Sequence, residues 1–259
     1  MDKITICKIC NNNSENIFTS KILKKYDVSF FQCTQCKFIQ TENPYWIEES
    51  YQNALNLSDT GLILRNQIFS KGLTPFLFFN FKPEDTFLDY AGGYGIFTRM
   101  MRDIGFNFYW IDKYAGNLAS RGFEHTPSNN YKALTAFEVF EHLVDPLKEI
   151  EEMLQYADTI IFSTQLIPDV LPNLDWWYYG FNHGQHIAFY HKNSLQFIAK
   201  KYNLNLVSNN SNLHILTKRN ISSFSFQVIL KLSKFGIFNF LKLFLKSKTF
   251  SDSQILNNR

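Results

Sequence analysis

The segment Thr86 to Gly95, TFLDYAGGYG, restricts this chain more than any other. A short apolar run reading as a strand, Thr86 to Tyr90, enters a turn of Ala91, Gly92, Gly93, Tyr94 and Gly95. Ile96, Phe97, Met100, Met101 and Ile104 then recur at helical spacing up to Gly105. Strand, glycine turn and helix in this order let the backbone approach a nucleotide-type cofactor, because glycine removes the side chains that would stand in its way. The next predicted strand, Asn107 to Ile111, ends in Asp112, about 20 residues after the turn, where a carboxylate accepts ribose hydroxyls.

Further strands are expected at 132–137, 159–163, 205–207 and 213–217. The last two pair around an Asn209-Asn210 turn. Asp145 and Pro146 open a helix with Leu147, Ile150 and Leu154 on its apolar face, and 194–202 forms another. The alternation describes an α/β fold, a doubly wound Rossmann-like sheet closed by an antiparallel edge hairpin.

All four cysteines lie in the first 36 residues, as Cys7-x-x-Cys10 and Cys33-x-x-Cys36. Two such knuckles present four thiolates to one tetrahedral ion, a closed shell that stabilises and does not catalyse. In a reducing compartment this spacing favours structural Zn2+ over two disulfides or free thiols. Four segments follow: a zinc-binding module at 1–40, a helical connector at 41–80, a cofactor-binding domain at 81–220 and a basic aromatic helical tail at 221–259.

The string FLDYAGGYG, then YWID, then LTAFEVFEHLVDPLKEIEEML resembles the class I methyltransferases that use S-adenosylmethionine, over about residues 80–220. With the cysteine pairs ahead of it, the chain resembles the zinc-knuckle methyltransferases of bacterial surface-glycan and deoxysugar pathways. The resemblance implies S-adenosyl-L-methionine as cofactor, with Asp89, Ala91, Gly92, Gly93 and Gly95 around its methionine and ribose. It also implies Asp112 on the ribose hydroxyls, and Phe137 and Glu138 beside the cofactor at a strand end. Ala91 stands where the pattern has a glycine. Lys132 and Ala133 replace an acidic strand start, and the stretch from Asp112 to Tyr131 is too short to place the usual third strand.

The acceptor is expected beyond the fifth strand, in DWWYYGFNHGQH. A sugar hydroxyl must lose a proton to attack a methyl group, and an imidazole accepts it near neutral pH. His183 and His186 are the candidates, with His183 placed slightly ahead although HGQH does not say which points inward. Glu141 and His142 form a second acid and imidazole, but sequence neighbours often point apart. Trp176, Trp177, Tyr178 and Tyr179 either stack on a sugar or pack. His125, His191 and His214 read as surface or packing residues.

Charge separates the catalytic body from the tail. The net charge is +3, yet six cations against Asp252 give residues 221–259 a balance of +5 and leave −2 for residues 1–220. A body of that charge is a poor polyanion binder, so no nucleic acid is expected, against the alternative of an RNA- or protein-directed methyltransferase. A non-catalytic scaffold of a glycan-assembly complex is the other rival. Seven of the 27 phenylalanines lie in the tail. Over 224–250 a Phe- and Lys-rich helix suits the anionic inner face of the cytoplasmic membrane or packing on protein. No apolar run is long enough to span a bilayer and none resembles a secretion signal, so a cytoplasmic protein is expected. The expected acceptor is a sugar, or a nucleotide- or lipid-linked glycan, in capsule or lipopolysaccharide synthesis.

Overall fold

A computed structural model describes residues 4–51 and 59–258, leaving 52–58 of the expected connector and Arg259 of the tail outside the described residues. Two compact units emerge, neither continuous in sequence: Met1–Asn56, Phe137–Glu152 and Phe162–Arg219 form one, and Leu57–Ala136, Met153–Ile161 and Asn220–Arg259 the other.

In the first unit, β1 (Ile4–Ile6), β2 (Asn13–Ile22), β3 (Tyr26–Cys33) and β4 (Ile39–Thr41) build an antiparallel sheet in sequence order. The β2–β3 turn holds Leu23 and Lys24 at φ 55° and 59°, with the Lys25 N–H donating to the Ile22 carbonyl at 3.0 Å. That is the left-handed geometry a two-residue hairpin turn needs, adopted here without glycine or asparagine. A short helix, α1 (Ile47–Ser50), follows.

In the second unit, α2 (Leu62–Asn80) precedes β5 (Thr86–Tyr90), α3 (Ile96–Ile104), β6 (Asn107–Ile111) and β7 (Tyr131–Ala136). β5 pairs in parallel with both β6 and β7, which places the glycine turn at the carboxyl end of a central strand. Between Asp112 and Tyr131 the usual third strand is reduced to one isolated bridge, Trp110 to Glu124.

The chain continues through α4 (Pro146–Tyr156), β8 (Thr159–Ser163), β9 (Ala188–Phe189), α5 (Lys192–Lys201), β10 (Asn205–Ser208) and β11 (Leu213–Thr217). The larger sheet has six strands in the order β10-β11-β8-β7-β5-β6, and β10–β11 is the expected antiparallel hairpin. Asn209 Oδ1 accepts from the N–H groups of Ser211, Asn212 and Leu213, and Asn210 takes φ 60°, as an asparagine turn requires. β9 joins the other sheet, pairing Ile39 with Phe189 and Gln40 with Ala188. The core of the first unit combines Ile22, Val28, Phe30, Ile39 and Trp46 with Tyr178, Tyr179, Ile187 and Phe189. Tyr178 and Tyr179 are thus packing residues, whereas Trp177 is 73% exposed.

The tail is not one helix over 224–250. It divides into α6 (Ser223–Lys234), α7 (Ile237–Leu241) and α8 (Thr249–Asn257), with Gly236 at φ 90° making the first break. α6 lies on α2 through Phe226, fully buried and edge-on to Phe76 at 5.4 Å.

Candidate active site

The turn after β5 is held from several sides. Asp89, 3% exposed, accepts hydrogen bonds from the Thr98 and Thr135 hydroxyls, both at 2.9 Å, tying β5 to α3 and β7. Asp112 Oδ2 accepts the Gly93 N–H at 2.9 Å, while its Oδ1 takes the Tyr114 and Ala115 N–H groups at 2.7 Å. The Trp110 indole donates to the Gly93 carbonyl at 2.9 Å, a support that sequence reading missed because nothing local singles out that ring.

Two glycines here have different physical reasons. A Cβ on Gly92 would lie 2.7 Å from Asp89 Oδ2 and from Trp110 Cδ1, so no side chain fits. Gly93, at φ +54°, has nothing within 4 Å of that position, and this open face is where a ligand can reach the backbone. Ala91 adopts φ 53° without being glycine, a left-handed conformation that costs an alanine about 1–2 kcal/mol. Glu138 does the same at φ 55°, held by a reciprocal pair with Ser163, whose Oγ accepts the Glu138 N–H and donates to Glu138 Oε1, each at 2.7 Å. Phe137 is partly buried beside it.

Burial raises the Asp89 carboxyl from the ordinary 3.8 to about 7, against the two threonine donors that favour its charge. Between about pH 4 and 7 the unfolded chain has therefore released a proton that the folded chain keeps, so stability falls as pH rises through this window and levels above it. The shift corresponds to roughly 4 kcal/mol at most. Asp89→Asn should flatten that part of a melting-temperature profile, and an unchanged slope would show that Asp89 is not its source.

In the first unit, residues distant in sequence converge. Glu141 and His142 sit on a single 3-10 turn, Phe140–His142, and the Glu141 carbonyl accepts the Ile187 N–H at 2.9 Å. His142 Nδ1 is 3.0 Å from the Gln185 carbonyl, and His186 Nδ1 is 2.6 Å from the Tyr178 carbonyl. A carbonyl only accepts, so both Nδ1 atoms carry the proton and both Nε2 atoms present lone pairs. Burial holds His142 down at about 4 and His186 well below its ordinary value, so both rings are neutral at neutral pH. His183 differs: its Nδ1 accepts the Gln185 N–H at 3.2 Å, and its ring packs against Gly180. Of the HGQH pair, His186 is thus the one that offers a ring nitrogen within 4.8 Å of Glu141 and His142.

Glu141 is fully buried, and neither carboxylate oxygen has a hydrogen-bond partner. The Tyr178 and Thr164 hydroxyls lie close enough to favour its charged form without reaching hydrogen-bond geometry. Burial, then the charge of Glu138, pushes its carboxyl well above the usual range. The other histidines are accounted for by structure. His191 caps α5, His214 is buried between Ser208 and the Thr164 carbonyl, and His125 contacts the Tyr131 hydroxyl.

The four cysteines are unbridged and gather their Sγ atoms within 4.8 Å of one another, with Cys7 to Cys36 at 3.6 Å and Cys10 to Cys33 at 3.3 Å. Thiolates on a tetrahedral zinc, each about 2.3 Å from the metal, are about 3.8 Å apart. The two knuckles repeat one geometry. Asn11 and Lys37, directly after each pair, take φ 59° and 63°, and their N–H groups return to the carbonyls of Cys7 and Cys33. The Ile9 and Cys36 N–H groups also point at the sulfurs of Cys7 and Cys33, each at 3.4 Å. The donor set fits a structural zinc ion.

A family model described as a methyltransferase domain matches residues 64–209. The chain belongs to the methyltransferase domain family. The matched stretch includes the turn after β5 and Asp112. The methyltransferase domain is also similar to solved structures at low identity. CalO1, a methyltransferase in calicheamicin biosynthesis in its SAH-bound form, is 12% identical over 62% of this chain and 55% of its own, with a TM-score of 0.46. The plantazolicin methyltransferase BpumL in complex with SAH is 10% identical over 68% and 95%, with a TM-score of 0.49. Magnesium protoporphyrin IX methyltransferase from Synechocystis PCC 6803 with bound SAH is 11% identical over 67% and 95%, with a TM-score of 0.42. The match thus spans about half the length of CalO1. No curated protein matches the sequence.

Proposed function

We propose that this chain transfers a methyl group from S-adenosylmethionine to a sugar hydroxyl in the assembly of a bacterial surface polysaccharide, and that its four cysteines hold a structural zinc ion. The observation that carries the catalytic part is the pair of imidazoles, His142 and His186, each with Nδ1–H given to a carbonyl and a ring nitrogen within 4.8 Å of the buried Glu141. S-adenosylmethionine supplies a methyl group already activated on a sulfonium. What remains for the chain is to hold the cofactor on the Ala91–Gly95 turn and Asp112, and to take the acceptor's proton. The His142–His186 cluster is where that proton is lost. The sugar acceptor is supported by the resemblance of the glycine-turn and knuckle motifs to surface-glycan methyltransferases, and by the −2 charge of residues 1–220, which disfavours a polyanion.

Mass spectrometry of surface glycans with and without the protein identifies the acceptor as the one losing a methyl group. On that acceptor His186→Ala should lower kcat by about 10²–10⁴-fold, the usual range for general acid–base groups. His183→Ala should act less. Equal turnover in wild type and His186→Ala would end this assignment.

The tail supports a membrane-linked acceptor. Phe224, Phe235, Phe240, Leu243, Phe244 and Phe250 are each more than half exposed, with Lys231, Lys242 and Lys246 exposed among them. The one acid of the tail, Asp252, is buried in an ion pair. Apolar side chains between lysines favour insertion into an anionic leaflet. No single helix among the described residues is long and apolar enough to cross a membrane, and α6 and α7 bend by 87° where they meet. The protein should co-sediment with phosphatidylglycerol-containing vesicles and less with phosphatidylcholine alone, in a salt-sensitive manner that Phe235→Ser with Phe244→Ser removes. Self-association without vesicle binding would assign the surface to a second copy of the chain.

A further inference from the structure

We propose that Glu141, His142 and His186 form a second metal site, separate from the cysteine knuckles, that binds one divalent ion of the zinc class and leaves coordination positions open to the acceptor. A carboxylate oxygen of Glu141 and a ring nitrogen from each histidine lie within 4.8 Å of one another. Two imidazoles bound through nitrogen at about 2.0–2.1 Å to a tetrahedral ion have ring centres about 5 Å apart. The His142 and His186 rings are 5.1 Å apart, inclined at 70°. Little movement is needed for the pair to close on an ion.

Two further features distinguish this cluster from a chance meeting of histidines. Metal-bound imidazoles almost always donate their other ring nitrogen to a carbonyl or carboxylate, which fixes the tautomer and aims the lone pair. Both rings do so here, to the carbonyls of Gln185 and Tyr178. The third donor is a fully buried carboxylate with neither oxygen satisfied. Such a group is expensive in a protein interior unless a cation compensates it, and the described hydrogen bonds and ion pairs supply none to Glu141. Nitrogen and carboxylate oxygen also suit a divalent ion different in role from one bound by four thiolates. Four cysteines close their shell, whereas two histidines and one carboxylate leave room, as in catalytic zinc sites.

The ion's role rests on the reading that this cluster activates the acceptor. A hydroxyl whose oxygen binds a divalent cation becomes far more acidic. Its proton passes to solvent, and the oxygen lone pair forms the new C–O bond as the sulfur–methyl bond breaks. The sulfonium sulfur keeps that bonding pair and becomes a neutral thioether.

The full chain, dialysed against Zn2+ and freed of excess, should carry two zinc ions by elemental analysis, and Glu141→Gln and His186→Asn should each carry one fewer. The same zinc content in wild type and Glu141→Gln overturns the site. Glu141→Gln keeps side-chain shape and removes only the buried carboxyl, so it should fold, as thermal melting will show, and it decides the matter if His186→Asn does not. Activity separates the two readings. Unchanged zinc content with turnover lost in His186→Asn overturns the ion and leaves the imidazole itself as the base. Full turnover in both variants overturns acceptor activation by this cluster, whatever their zinc content.

Discussion

Cys33→Ser should strip one zinc ion from the chain and melt the N-terminal sheet. Apparent binding energies of structural zinc sites are about 10–16 kcal/mol, and because the four-sulfur shell does not exist in the unfolded chain, that energy is folding energy. Cys33 is the last residue of β3, and its sulfur also accepts the Cys36 N–H, so the change acts on the sheet and on the second knuckle together. Even half of that energy is comparable with the whole stability of a domain. At about 2–4 °C per kcal/mol for a unit of this size, the melting transition should fall by more than about 10 °C. Elemental analysis and calorimetry on the same preparation test this. A variant with full zinc content, or one that melts with the wild type, would show that the cysteines do not form a structural metal site.

Asp252→Ala should be the most damaging single change in the second unit, costing about 3–5 kcal/mol. The two Asp252 oxygens accept from Arg102 at 2.6 and 2.7 Å, with Arg99 adding a contact at 2.9 Å. Arg102, 4% exposed, also donates to the Phe108 carbonyl and lies 3.6 Å over the Phe123 ring. Arginine does not lose its proton in a protein, so removing the carboxylate leaves a buried cation without its main counter-charge. The pair also pulls Asp252 below the ordinary carboxylate range despite its burial, so its contribution is present near neutral pH and lost as pH falls through that lowered value. Urea denaturation gives the loss directly. Arg102→Met combined with Asp252→Leu should recover most of it, because an apolar pair of similar volume needs no compensation. A single variant within 1 kcal/mol of wild type would mean that α8 is not held by this contact.

Strand signals bounded by turn residues read directly from sequence: 86–90, 107–111 and 159–163 are strands over their full expected lengths. Other elements depend on chemistry that residue type does not announce. The helix expected at 194–202 begins at Lys192, because His191 accepts the Asn193 N–H and serves as its cap, a role usually taken by Ser, Asp or Asn. The β2–β3 turn carries Leu and Lys where sequence rules look for Asn-Gly. In the tail, the Phe- and Lys-rich pattern over 224–250 runs on through Gly236, whose positive φ separates α6 from α7. The site divides along the same line. The glycine turn and the cysteine pairs are local patterns and were visible. The meeting of Glu141 and His142 with His186 depends on where two segments more than 40 residues apart are placed, and no periodicity carries that information.

The two-residue strand β9 has a consequence for the order in which the molecule can be made. β4, two residues after the second knuckle's turn at Lys37, has its outer edge covered by Ala188 and Phe189. On the ribosome the knuckles emerge early, but the segment that covers β4 and fills the core around Phe30 is still unsynthesised. The nascent N-terminal sheet therefore waits with an open edge and exposed aromatics, the condition under which chains aggregate. Early capture of zinc would hold the hairpin and its two knuckles in register during that wait.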